Sequence, residues 1–387
     1  MTCIHPRPFK MSAALPRVAV LTAALLSTTA WADGHTPQFF GSINMAAEYR
    51  QMEDEDVFPS HFDLQDAFSY LGVSGEEKIN DELTGFYYYS IYINPVDGEL
   101  GKARNTAWYG KNVRREHNVA RAGVKAPWGE LSAGRTWNNY YDRITYTTDR
   151  FKSAWTGFDT YAAFQVDRTI SFTSANYGGF DFGFNLVNGG GENATADTRI
   201  IVGASYSMDG MIVSLAYDDN GEDPNVGGKE QSNHLMALAA EYSTGVLRLG
   251  VKYEIAGKGN GYATASNGNA EEASLYGVIV GYKMGKDEIQ FHYAAGDYPG
   301  YLPVNTDNSD ATKHGEGSQF GVGWNRQVSD NLLVFAEYHS SNDYCVYDLS
   351  TGTTDADGDG DADNNFGDAA GIDTGCSVLS TGIHLGF

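Results

Sequence analysis

The sequence predicts an all-β fold, a 16-stranded antiparallel transmembrane β-barrel, on three observations. Segments of about ten residues alternate apolar and polar side chains, and that is the length a tilted strand needs to cross a bilayer. The connections between these segments alternate short and long. The last segment places Leu379, Thr381, Ile383, Leu385 and Phe387 on one face and Ser380, Gly382 and His384 on the other. An apolar alternating terminus suits a strand that closes a barrel against lipid, because a terminus in water frays.

The N-terminal residues read as an export signal. Arg7, Lys10 and Arg17 precede the mostly apolar run 18–26, and Ala30-Trp31-Ala32 has the small-x-small form of a cleavage site. The run is shorter than the ~20 residues a membrane anchor needs. Residues 1–32 are therefore expected to be removed, with 11–32 a complete signal by itself, leaving 33–387 as one barrel domain. Residues 1–32 hold three of the 26 basic residues and no acidic one, so the formal charge goes from −24 to −27 on cleavage. That balance excludes nucleic acid as a partner and suits acidic loops that attract cations. The 25 Tyr, 19 Phe and 46 Gly favour a β-rich chain. No stretch after the signal approaches the roughly 18 apolar residues of a membrane helix.

Along the chain the alternation is clean. Phe180, Phe182, Phe184 and Leu186 oppose Asp181, Gly183 and Asn185; Ile200, Val202, Ala204 and Tyr206 share a face, as do Met211, Val213, Leu215 and Tyr217. Leu247, Leu249, Val251, Tyr253 and Ile255 oppose Arg248, Gly250, Lys252 and Glu254. Ile289, Phe291, Tyr293 and Ala295, then Phe320, Val322 and Trp324, repeat the pattern. Short turns fall at residues 79–82, 127–129, 177–179, 208–210, 244–245, 285–287 and 328–331, rich in the Gly, Asn and Asp that tight hairpins demand. Long polar loops lie at 51–61, 97–116, 138–167, 189–197, 219–232, 257–272, 297–316 and 342–377. Seven turns and eight loops separate sixteen strands, with both termini at the short-turn end, the outer-membrane arrangement. Tyr206, Tyr242, Tyr282 and Trp324 precede short turns and Phe180 follows one, which predicts an aromatic girdle at that interface. A soluble β-sandwich or propeller also alternates, but has no reason to keep the short–long rhythm.

Residues 70–168 resemble the general, non-specific porins of Gram-negative outer membranes. The resemblance rests on Leu71-Gly72-Val73-Ser74-Gly75-Glu76 followed by Asn80-Asp81-Glu82-Leu83-Thr84-Gly85, on Arg121-Ala122-Gly123-Val124-Lys125, and on Trp128-Gly129-Glu130-Leu131 with Gly134-Arg135. Tyr141-Asp142, the long segment to Asp167, and Arg168-Thr169-Ile170-Ser171-Phe172 complete it. The resemblance implies a third loop, 138–166, folded into the barrel, carrying Asp142, Arg143, Asp149, Arg150, Lys152 and Asp159. It also implies a basic wall opposite, matched here by Arg121, Arg135 and Arg168, whose strand parity reads as inward. Opposite charges across a narrow aqueous gap set up a transverse field. The chain departs from the family where Ser42 and Tyr70 replace basic residues and where the inward face of the third strand reads Phe86, Tyr88, Ser90 and Tyr92.

The expected function is a water-filled channel for passive diffusion of small hydrophilic solutes and ions, preferring cations. The expected assembly is a homotrimer, supported by the small outward residues Ala120 and Ala122. Its expected surroundings are outer-membrane lipid and lipopolysaccharide, and its insertion is expected to use the barrel-assembly machinery, with Phe387 as the assembly signal. Two rival readings remain. Phe86, Tyr88 and Tyr92 would suit a sugar-specific stacking track, and the acidic last loop would suit a surface adhesin. Cys345 and Cys376 bracket that loop and predict one disulfide in an oxidising compartment. Within it, Asp355, Asp357, Asp359 and Asp361 run as D-x-D-x-D-G-D, the opening of a calcium loop, but Phe366 stands where the bidentate Glu belongs. A bound Ca2+ and a solvated acidic loop are both open. No cofactor is required, and no motif of a hydrolase or phosphate-binding enzyme is present.

Overall fold

The computed structural model describes residues 37–52, 60–100, 117–153, 160–188, 198–219, 234–257, 272–297, 316–341 and 376–387. The expected signal, residues 1–32, lies outside them. The wall opens with β1 (Gln38–Met52), β2 (His61–Asp66), β3 (Tyr70–Lys78) and β4 (Thr84–Asn94), with a two-residue side pairing at β5 (Glu99–Leu100). It continues with β6 (His117–Ala126), β7 (Gly129–Trp137), β8 (Gln165–Ser174), β9 (Phe180–Asn188), β10 (Thr198–Met208) and β11 (Met211–Asp218). It ends with β12 (Leu235–Ser243), β13 (Leu247–Ala256), β14 (Ala273–Met284), β15 (Asp287–Asp297), β16 (Glu316–Gln327), β17 (Leu332–Ser341) and β18 (Cys376–Gly386). β2 and β3 both pair with β1 in one line, broken at Ala67–Ser69 where Phe68 takes φ 67°. They are halves of one strand, and β5 stands outside the wall, so the wall has sixteen strands.

Every neighbour pairs antiparallel, and β18 returns to β1 with Ser42 opposite Gly386 through to Met52 opposite Cys376. Gly41 N donates to Phe387 O at 2.9 Å and Phe387 N to Gly41 O at 3.1 Å, so the seam runs to the last residue. A closed ladder leaves no strand edge, which is what an apolar surrounding requires of β structure.

Side-chain polarity follows the pleat, with the usual burial inverted. Phe182, Ile200, Leu215, Leu238, Val251, Phe291 and Val322 are exposed on the outer face, while Asn185, Ser214, Lys252, Glu254, Gln290 and Glu337 are buried on the inner one. The turns fall where Gly and Asp sit. At Asp209-Gly210 both residues have positive φ (50° and 83°), which matches the two-residue hairpin whose twist suits its strands. Phe180 lies opposite Tyr206, and Tyr282 opposite both Leu247 and Ile289, which faces Trp324, so the outward rings share one level beside the short turns. Buried apolar packing is found inside, where Tyr140, Ile144, Tyr161 and Ala162 cover Ile201, Leu235 and Leu275.

The seam is closely fitted. A Cβ at Gly382 would run into the Met45 carbonyl and the Phe335 ring, which lies over it. Gly382→Val is therefore expected to lower the fraction of chain that stays folded on unheated gels and its melting temperature. The outward neighbour substitution Thr381→Val should leave both nearly unchanged.

Candidate pore-lining site

The site is built by the segment between β7 and β8. Asn138 caps α1 (Asn139–Arg143), its Oδ1 accepting from Tyr141 N at 2.6 Å. Asn139 then donates from N and Nδ2 to Asn185 Oδ1 at 2.8 and 3.0 Å, which ties the turn to the inward side of β9. The Tyr140 hydroxyl donates to Glu254 Oε2 at 3.0 Å, and Thr160 Oγ1 and Tyr161 N donate to the same oxygen at 2.9 and 3.2 Å. Lys252 Nζ neutralises Glu254 at 2.6 Å, with both side chains wholly buried. Farther on, Arg143 pairs with Asp181 at 2.7 Å and Arg150 with Glu241 at 2.8 Å. Lys152 N and Ser153 N donate to the two oxygens of Glu337 at 2.6 and 2.9 Å, and Asn44 Nδ2 donates to Lys152 O at 2.9 Å. The segment thus tracks the inner wall from β9 round to β1.

A lane of glycines makes room for it. A Cβ at Gly183 would collide with Asn139, at Gly203 with Arg143 Cδ (2.6 Å), at Gly250 with Thr147 (3.0 Å) and at Gly323 with Phe151 (2.9 Å). A Cβ at Gly321 would likewise lie 3.1 Å from the Phe151 ring, which packs edge-on against His292 and His339. Neither the lane nor the carboxylates Glu254 and Glu337 stand out in the sequence as loop contacts. The only signal was small residues recurring at inward positions.

Toward the lumen the segment turns a different face. Trp137 and Tyr141 lie 4.6 Å apart, Tyr141 contacts Phe164 (5.4 Å), and Tyr146 is 48% exposed under the Arg150 guanidinium at 4.0 Å. Asp142 is exposed to the lumen yet surrounded by protein, and desolvation raises its carboxyl to about 6 against the pull of Arg143 and of Arg121. Desolvation also raises Asp149 to about 6, opposed by the Tyr141 hydroxyl that donates to it and by Lys152, Arg150 and Lys252. Asp159 lies outside the described residues.

The opposite wall is less basic in effect than in composition. Arg121 is paired with Glu130 and lies 5.3 Å from the Phe86 ring; Lys125, paired with Glu76, approaches the same ring at 5.2 Å. Arg135 departs from the inward parity expected of it, since it lies opposite the outward Ala120 while Gly134 lies opposite Arg121; it pairs with Asp167 and donates to Gln165 Oε1 at 2.7 Å. Arg168 differs from the sequence expectation. β8 spends one extra residue between Thr169, opposite Gly134, and Val166, opposite Thr136, and Arg168 stands exposed in that bulge at φ 49°. Beyond the bulge Thr169 and Ser171 are buried inward while Ile170 is 49% exposed on the outer face, and Arg168, two residues before Ile170, has that outward parity and not the inward one expected. Phe86, Tyr88 and Tyr92 do share the inward face of β4, joined there by Phe40, Tyr70 and Phe68. Cys376 is buried at the start of β18. Cys345 and Asp355, Asp357, Asp359 and Asp361 lie outside the described residues.

A closed wall, an apolar outer face and a charged interior define a membrane-channel barrel. The chain belongs to the Gram-negative porin family, whose model matches residues 18–343, and it is accordingly an outer-membrane channel and not an enzyme. It is 27% identical over 268 residues to outer membrane porin F of Xenorhabdus nematophila, spanning 58% of this chain and 67% of that one. It is 28% identical over 182 residues to outer membrane porin C of Enterobacter cloacae, spanning 46% and 44%. The fold is similar to an anion-selective porin from Comamonas acidovorans (TM-score 0.63, 16% identity, 92% of this chain and 100% of that one). It is also similar to Salmonella typhi OmpF in complex with daunomycin (TM-score 0.59, 16% identity, 92% and 99%).

The tether at Glu337 is separable from that at Glu254. Glu337→Ala removes both acceptors holding residues 152–153 and leaves the Lys252–Glu254 anchor in place. Single-channel recording should then show noisier openings of larger mean conductance than wild type, because the far end of the segment is released. Quiet openings of unchanged size would contradict the tethering role.

Proposed function

We propose that the chain works as a homotrimeric, water-filled diffusion porin for small hydrophilic solutes and ions, with a preference for cations set at the third loop. The observation that carries the preference is an imbalance in pairing. Arg121, Lys125, Arg143 and Arg150 hold carboxylate partners and Lys152 acts on Asp149, whereas Asp142 faces the lumen with no ion pair among the described residues. Paired charges cancel at short range, so an unpaired carboxylate dominates the field in the gap. The formal charge of −24 acts in the same direction at longer range. The Comamonas acidovorans neighbour is anion-selective, but a likeness at 16% identity carries the fold alone.

The constricting role of the third loop is supported by its tethers and glycine lane. Trimerisation is supported by small outward residues, Ala120, Ala122 and Ala133, and by a similar structure, OmpT of Vibrio cholerae, described in a trimer form. A Cys345–Cys376 disulfide is supported by the bonded state of Cys376. Lipid and lipopolysaccharide contacts are supported by the exposed apolar outer face. An assembly-signal role for Phe387 is supported by its 56% exposure beside Gly41 at the closing seam.

The test of selectivity is the reversal potential across a planar bilayer in a potassium chloride gradient. Asp142 and Asp149 are charged above about 6 and neutral below it. Cation preference should therefore be high at about pH 7.5 and fall by about pH 5. Asp142→Asn should give the lower value at both. A chloride preference at the higher pH, or no change between the two, would overturn the assignment. For assembly, Phe387→Ala should cut the yield of folded, inserted protein while the channels that do form conduct normally. Normal yield would remove the targeting role and leave the barrel intact.

A further inference from the structure

We infer that the wall facing the third loop carries a stacking subsite for pyranose rings, an inference that rests on the channel reading and deepens it. Its floor is Phe40. The tip of that ring occupies the space a Cβ at Gly72 would fill on the next strand, so the ring lies along the wall instead of standing into the lumen. A ring laid along the wall turns one face to the water. Tyr88 overlaps part of that face, with its centroid 4.7 Å from that of Phe40 and its plane inclined by 34°, so the two rings form one offset stack and the free face of Tyr88 continues the floor. Tyr70 meets Phe40 edge-on at 6.2 Å and 63°. All three rings are half-buried, and the third loop is tethered along β9 to β17 and, on β1, at Asn44 rather than at Phe40. Among the described residues, no third-loop side chain is in ring contact with Phe40, Tyr70 or Tyr88.

Polar groups border the floor on one side. Arg121 with Glu130, and Lys125 with Glu76, stand on the adjoining strands around Phe86, each pair presenting both donors and acceptors. A pyranose has an apolar C–H face and a rim of hydroxyls that both donate and accept, so it answers the floor and its border together. A flat aromatic solute would use the floor and leave the charged pairs unanswered. An acyclic polyol would use the pairs and leave the floor wet. A plain aqueous pore has no need of either arrangement, since each inward ring removes a polar contact from the passing solute.

The experiment is saturable block of the ion current through the full chain in planar bilayers, with maltotriose, sorbitol and benzamide as probes. Maltotriose should block saturably, while sorbitol and benzamide should only slow the current in proportion to viscosity. Tyr88→Ala should raise the half-blocking concentration about fivefold, the loss of one stacking contact, without lowering the unblocked conductance. Tyr87→Ala, on the outer face of the same strand, should leave block unchanged. If Tyr88→Ala does not insert, Phe40→Ala reads the same floor. Equal block in the wild type and the floor variant overturns the subsite, as does saturable block by sorbitol, block by benzamide alone, or open channels with no saturable block. A protein that forms no channels at all overturns the channel reading on which the subsite rests.

Discussion

Everything in this molecule depends on the requirement that backbone groups inside an apolar layer find partners within the protein. An unpaired N–H or C=O in hydrocarbon costs several kcal/mol, and a sheet meets that demand only by closing. Closure here is the β1–β18 seam, carried to the carboxyl-terminal residue by the exchange between Gly41 and Phe387. Once the ring is closed, the pleat sends alternate side chains to two different solvents. The apolar series through Leu215, Val251 and Phe291 goes outward, and the polar series through Asn185, Glu254 and Glu337 goes inward.

An inward polar face creates the second problem, which is how to hold a loop inside a barrel of water. Three devices act together. An apolar patch of Ile201, Leu235 and Leu275 is covered by Tyr140, Ile144 and Tyr161. Glycines strip the wall where the chain must approach closely. Buried carboxylates collect the loop's donors, three of them at Glu254 alone. Burying Lys252 and Glu254 is costly in itself, and breaking such a pair by removing one partner costs about 3–5 kcal/mol. The pair contributes little net stability for that reason, but it penalises any other seating of the loop. Its effect is on register more than on strength.

How much of this was legible follows from which side of the wall wrote the signal. The outer face has one demand, apolarity, so period-two alternation exposes it, and the turns betray themselves through Asp209-Gly210 and its equivalents. The inner face answers to several demands at once: water, the loop and the solute. Gly250 and Gly321 look there like any small lumen residue, and Glu337 like any lumen charge. Their meaning appears only when residues about 100 to 190 positions distant in sequence are brought against them. Arg168 shows a different limit. Its match to a motif puts it inward, whereas its parity with Ile170 and Phe172, both on the outer face, sets it apart from Thr169 and Ser171 inside.

The two sides of the lumen divide the work. The loop side is set by charge. Asp142 and Asp149 carry carboxyls raised to about 6, close enough to neutrality that modest acidity changes the field they produce. The wall side is proposed to act by shape, because Arg121 and Lys125 are neutralised in place and the Phe40 ring lies over Gly72. Charge acts on every ion that enters and decays over about a Debye length, whereas a stacking surface acts only on solutes that touch it. On the proposed reading, an ion is sorted chiefly by the loop and a ring-bearing neutral solute chiefly by the wall. Substitutions on one side should change one kind of selectivity and leave the other nearly intact, because the two sides act through different physical terms.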